Sequence, residues 1–165
     1  MKKLFLTLVI AFAGIFTANA QVWLGGSIGA GFTKNTTAFT LAPEVGYSFH
    51  DSHWTIAAEV DYAFLKIQDL DAQHELILKP YVRYSLATVE KFNVFMDLTG
   101  DFGVVNNNGW AVSLRPGVAW MATKHWTAAF RFAFLQYDHG MYHEANGVFL
   151  DCATMAPSFG LYYNF

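Results

Sequence analysis

The last thirteen residues, A-T-M-A-P-S-F-G-L-Y-Y-N-F from Ala153 to Phe165, alternate between two unlike kinds of side chain. Met155, Pro157, Phe159, Leu161, Tyr163 and Phe165 are apolar or aromatic, whereas Thr154, Ala156, Ser158, Gly160 and Asn164 are small or polar. A period of two is that of a strand with two different faces. A strand this greasy, ending on an aromatic, would be an aggregation hazard in water. It predicts an environment that accepts the apolar face, and a lipid bilayer is one.

The other end of the chain agrees. Lys2 and Lys3 precede an apolar run from Leu4 to Phe16, followed by Ala18-Asn19-Ala20. This is the pattern of a secretory signal peptide over residues 1–20, cut before Gln21, leaving residues 21–165 as one domain. Loss of the two lysines takes the formal charge from −3 to −5, which disfavours a nucleic-acid partner. The composition is 54% hydrophobic and 18% aromatic. Beyond the leader, however, no apolar run approaches the ~18 residues of a transmembrane helix. Apolar residues this abundant and this interleaved point to a closed barrel, the other structure that satisfies its backbone inside lipid. The single Cys152 has no intrachain partner and is expected to be an incidental thiol near a strand end.

Seven further alternating stretches precede the last: Gln21–Phe32, Phe39–Phe49, Trp54–Phe64, Leu76–Leu86, Phe92–Val104, Trp110–Trp120 and Trp126–Phe134. Short breaks at 50–53, 88–91 and 123–125 alternate with longer ones at 33–37, 66–73, 106–109 and 138–147, where Asn106-Asn107-Asn108-Gly109 is a turn signal. Eight strands of about ten residues suit an eight-stranded antiparallel up-and-down transmembrane β-barrel. Pro43, Pro80, Pro116 and Pro157 recur at matching places in strands two, four, six and eight, so the chain looks like four related hairpins. A closed barrel has no edge to spare for a missing N–H, and a bulge or unpaired carbonyl is expected beside each proline.

The less apolar face carries mostly Gly, Ala, Ser and Thr, too bare for a water-facing surface and small enough for the lumen of a narrow barrel. Aromatics gather at both ends of the strands. Phe49, Trp54, Phe92, Trp120, Trp126, Tyr163 and Phe165 lie at the short-turn end, and Phe32, Phe39, Phe64, Phe102 and Trp110 at the other. Two such belts bracket an aliphatic band, as at the two interfaces of a bilayer. Counted inward along the strands, Glu44, Glu59, Asp61 and Asp97 fall near the level of Lys79, Arg115 and Arg131, with Tyr81 beside them and Arg83 slightly lower. Four acids facing four bases predict an ion-pair belt that plugs the lumen; the same residues could instead line a narrow pore.

Other candidates for chemistry are weaker. His50, Asp51, Ser52 and His53 include the residue types of a hydrolytic triad, but they are consecutive in one tight turn, where side chains diverge. Asp138, His139, His143 and Glu144 could contact a divalent metal or lipopolysaccharide, although Gly140 disfavours the helix that would align the histidines, and a solvated loop is expected. No metal site and no cofactor is expected.

The terminal Gly160, Tyr163 and Phe165 resemble the Gly-x-x-aromatic-x-Phe ending of bacterial outer-membrane barrels, and residues 21–165 as a whole resemble the small OmpA/OmpX-like, porin-family β-barrels. The resemblance implies residence in the bacterial outer membrane among its lipid and lipopolysaccharide. It also implies delivery by periplasmic chaperones, recognition of the ending by the barrel-insertion machinery, and a periplasmic location for the short turns. Small barrels that edit lipid A carry His and Ser, or His, Asp and Ser, on the outer rim; no such set occurs here, and the 138–147 loop has no serine. The expectation is a monomeric, non-enzymatic barrel with a structural or surface-contact role, the alternative being a narrow porin or small-solute channel.

Overall fold

The computed structural model describes residues 21–32, 36–67, 71–106, 108–131, 134–142, 146–151 and 158–165. The expected leader 1–20, Cys152, Met155 and Pro157 lie outside them, as do His143 and Glu144. Six strands are continuous: β1 Gln21–Phe32, β2 Thr36–Ser48, β3 Trp54–Ile67, β4 Gln73–Val89, β5 Phe92–Val105 and β6 Trp110–Met121. The seventh stave, β7, comprises Trp126–Arg131 and Phe134–His139, both paired with β6. The eighth, β8, comprises Gly147–Asp151 and Ser158–Asn164, each paired with one segment of β7. Every neighbouring pair is antiparallel, and β8 returns to β1 from Trp23↔Asn164 to Gly26↔Leu161. The protein is an all-β, eight-stranded, antiparallel up-and-down closed barrel.

Alternation along each strand sorts the wall into two faces. Asp97 is 1% exposed and its neighbour Leu98 50%. The outward residues are leucine, isoleucine, valine and aromatic, while charges and hydroxyls turn to the axis. Continuous strands of 12 to 17 residues exceed the ~9–11 that a tilted strand needs to cross a bilayer. Tight connections gather at one end. Glu90 and Lys91 link the Val89↔Phe92 pair with Glu90 at φ 52°, and Thr123 Oγ1 accepts the N–H groups of His125 (3.2 Å) and Trp126 (3.0 Å) between β6 and β7.

The prolines act on the ladder in a specific way. Pro43 pairs with Gly26 of β1, yet between β2 and β3 the pairs run from Leu41↔Tyr62 to Glu44↔Glu59 with none between. Pro80 likewise pairs with Ala58 of β3, and the β4/β5 ladder is silent between Leu78↔Phe102 and Tyr81↔Thr99. Register is unchanged across both gaps, so these are missing rungs, the unpaired-carbonyl form of the expectation and not its bulge form; the irregularities of β4 fall elsewhere, at Leu76/Ile77 and Ser85/Ala87. Beside Pro116 there is a shift: Gly117 faces Arg131 while Leu114 faces Leu135, one residue out of step. A one-residue slip exchanges faces. Arg131 therefore points in, and so do Gln136 and Asp138.

Glycines make room in the wall for large lumenal aromatics. Trp23 lies flat against Gly46, and Phe95 against Gly117, and a Cβ added at either glycine would fall well inside van der Waals contact with the ring. Trp23, Phe95, Tyr81 and Tyr162 form the lumenal core with Ala119 and Ala129, and Phe95 has no exposed surface. Gly46→Val should therefore push the Trp23 ring off the wall at a cost of about 1–3 kcal/mol. The expected result is a lower urea midpoint for the refolded protein and a changed Trp23 emission; an unaltered midpoint would show that the lumen has slack.

Candidate functional site: the ion-paired lumen

Two tiers of charge fill the barrel. The tier nearer the short turns centres on Arg131 of β7. Its Nη2 donates to Glu44 Oε1 of β2 at 2.6 Å, its Nε to Asp97 Oδ2 of β5 at 2.9 Å, and its Nη1 to the Tyr162 hydroxyl of β8 at 2.9 Å. The Tyr81 hydroxyl of β4 donates to Glu44 Oε1 and accepts a further Nη2 bond at 3.1 Å; the Tyr162 hydroxyl donates to Glu44 Oε2 at 2.9 Å. Asp97 also takes a two-pronged bond from Arg83, Nε to Oδ1 at 2.7 Å and Nη2 to Oδ2 at 2.8 Å, while the Arg83 guanidinium lies 3.7 Å from the centroid of Phe95. Planar guanidinium forks and the aromatic face suit this geometry in a way that lysine would not.

The second tier lies toward the longer loops. Lys79 Nζ stands 2.6 Å from Asp61 Oδ2 and 3.6 Å from Glu59 Oε1. Arg115 donates from Nη2 to Asp101 Oδ2 at 2.8 Å and from Nε to Ser113 Oγ at 3.1 Å. The chain after β7 then folds inward. Asp138 accepts the N–H groups of Met141 and Tyr142, each at 2.9 Å, and the Gln136 amide at 2.9 Å. Tyr142 carries its hydroxyl to Asp101 Oδ2 at 2.8 Å. Burial, then the neighbouring Asp101 carboxylate, push the Tyr142 phenol far above its ordinary pKa, so it remains a donor. Met141 packs on Ile77 and Ala111 beside it, capping the lumen. Asp61 Oδ1, Asp101 Oδ1 and Gln136 Oε1 are buried without a protein donor among the described residues.

All nine residues read as a belt, Glu44, Glu59, Asp61, Lys79, Tyr81, Arg83, Asp97, Arg115 and Arg131, have their side chains at least mostly buried; Glu44, Glu59 and Lys79 share one rung and Asp97 faces Arg115, while their hydrogen bonds divide them between the two networks. Several functional partners were not anticipated. Asp101 shares the inward parity of Asp97 and lies nearer the loops. Tyr162 shares the parity of Gly160 and Asn164, a signal sufficient to find it. Asp138, expected in a solvated loop, is fully buried in β7, because the slip beside Pro116 turns it inward. His139 stacks on Trp110 at 5.4 Å, not on Asp138. Among the described residues the buried acids with lumenal partners are thus six, Glu44, Glu59, Asp61, Asp97, Asp101 and Asp138, against the four bases Lys79, Arg83, Arg115 and Arg131.

The remaining candidates do not converge. His50 Nε2 reaches Asp51 Oδ2 at 3.2 Å on the surface, Ser52 Oγ accepts the Trp54 N–H at 3.1 Å, and His53 packs on Tyr84. Among the described residues no three His, Cys, Asp or Glu side chains could hold a metal ion. Of the terminal triplet, Gly160 lies beneath Tyr162, whereas Tyr163 is on the outer face, edge-on to Trp126 and Phe165 at 5.2 and 5.1 Å. No protein-family model and no curated protein matches the chain.

Replacing Arg131 by Met leaves the buried Glu44 carboxylate without a cationic partner, while Asp97 keeps Arg83, and should destabilise the barrel by about 3–5 kcal/mol. Arg115→Ala should also lower the unfolding temperature, but by less, since Asp101 keeps the Tyr142 hydroxyl. Denaturant titration of the refolded protein, followed by the heat-modifiable shift on gels, checks both; equal midpoints for R131M and wild type would remove Arg131 from its central place.

Proposed function

We propose that the chain is a monomeric, non-enzymatic integral protein of the bacterial outer membrane, with a structural or surface-contact role and a lumen closed to solutes by ion pairs. The observation that carries this is the inverted sorting of the wall, with leucines and valines outside and carboxylates and guanidinium groups inside. Such an exterior is stable in hydrocarbon and not in water. Trp54, Trp120 and Trp126 at the turn end and Trp110 at the loop end stand on the outer face, where interfacial aromatics belong. On this assignment lipid and lipopolysaccharide surround the wall. Chaperones deliver the chain, and Gly160, Tyr163 and Phe165 address it to the insertion machinery.

Lipids brominated on the acyl chain test the orientation. In refolded protein the four outward tryptophans should be quenched and Trp23, inside the lumen, spared; quenching of all five only by aqueous iodide would sink the membrane assignment.

A narrow cation-preferring channel is the second reading, favoured by the surplus of carboxylates in the loop-end tier. The two part company in planar bilayers. The cross-lumen bonds of Arg131 predict no stable conductance, and discrete, long-lived, cation-selective steps would replace the plug by a pore.

A further inference from the structure

On the turn side of Arg83 the lumen opens into a cavity of about 400 Å³. We infer that this vestibule is a binding site for a small hydroxyl-rich anion, of the size and chemistry of a hexose phosphate. The inference rests on the cavity itself and does not depend on which compartment its mouth faces.

Charge at the cavity has one dominant sign. Arg83 forms its inner end and Lys124 stands among its lining residues, while no Asp or Glu side chain lines it among the described residues. Asp97 occupies Nε and Nη2 of Arg83, which leaves Nη1 as the guanidinium nitrogen for a ligand. An anion seated against Arg83 is therefore met by a fork that is already oriented, and oriented donors bind at less entropic cost than mobile ones.

The walls specify the rest of the ligand. Three cross-strand pairs of hydroxyl and amide groups face the cavity: Ser48 with Thr55 at 3.0 Å, Ser85 with Asn93 at 3.4 Å, and Thr127 with Asn164 at 3.1 Å. Each group holds its neighbour and retains donor or acceptor capacity, which is what a polyol needs. Trp23 and Tyr162, packed edge to face at 5.1 Å, border the cavity and complete its wall. The Arg83–Asp97–Arg131 net closes the inner end, so the vestibule is a blind pocket. Its volume sits at the lower end of those that hold small molecules, which excludes an oligosaccharide from full burial.

Indole N–H resonances of refolded, ¹⁵N-labelled protein read the site directly, with glucose 6-phosphate, glucose and inorganic phosphate titrated separately. The Trp23 signal should move with glucose 6-phosphate while those of Trp54, Trp110, Trp120 and Trp126 stay. Glucose and phosphate alone should bind more weakly, and added salt should weaken the sugar phosphate. Lys124→Gln, outside the packed net, should lower affinity about three- to five-fold. Thr55→Val should weaken glucose 6-phosphate without affecting phosphate. A Trp23 resonance that stays fixed at tens of millimolar glucose 6-phosphate overturns the site. Phosphate binding as tightly as the sugar phosphate overturns the ligand class, and unchanged affinity in K124Q overturns the electrostatic part.

Discussion

A guanidinium inside a closed wall has no water to turn to, and Arg131 shows how completely that constraint shapes the molecule. Its bonds reach β2, β4, β5 and β8, so one side chain measures the width of the lumen. Ions taken out of water recover their hydration only from well-placed partners, and here each partner is itself held: Glu44 by two tyrosines, Asp97 by Arg83, and Arg83 by the face of Phe95. The rings fit only because Gly46 and Gly117 leave the wall bare beneath Trp23 and Phe95. Small wall residues, aromatic fillers and ion pairs are therefore one device. Each is tolerable because the other two are present.

Fold was legible in the sequence because a strict period of two is a geometric signature that survives without any knowledge of partners. Eight alternating stretches, aromatic ends and inward charges such as Glu44 and Arg131 could all be placed by parity alone. Parity failed where the backbone departs from it. Asp138 and Gln136 are inward because β7 slips by one residue beside Pro116, and no local pattern announces a slip. Pairing failed for a different reason. The height of a residue along its strand does not say which way a long side chain leans, so Arg115 could not be assigned to Asp101, nor Tyr142 to the same carboxylate from beyond the strand. The inward fold of the loop after His139 is a tertiary fact. Asp138 gathers two backbone N–H groups there, and its burial is what makes the turn necessary.

The division of the lumen into two tiers gives its ends different characters. Toward the short turns the charges balance and the walls are hydroxyl and amide, leaving an open vestibule beneath a rigid ceiling. Toward the loops the carboxylates outnumber the bases, and Met141 and Tyr142 fold over them. A phenol hydroxyl is a suitable cap for surplus acid, because it donates a hydrogen bond without adding a carboxylate's charge.

The proline repeat takes on a structural meaning once the missing rungs are located. Pro43, Pro80 and Pro116 each keep their pairing toward the preceding strand, to Gly26, Ala58 and Met96, and each breaks or shifts it toward the following one. The N–H that proline lacks would have pointed across the β2/β3, β4/β5 and β6/β7 boundaries. The barrel is thus built of hairpins laddered within themselves and seamed to one another, which is why the sequence repeats with the period of a hairpin. Backbone bonds lost at a seam in a wall without edges have to be offset by something else that crosses it. Arg83 to Asp97 spans the β4/β5 seam, and Arg131 to Glu44 and Asp97 ties β7 to hairpins on the far side. The charged lumen therefore does more than fill space: its side chains supply, across the axis, cohesion that the prolines remove from the wall.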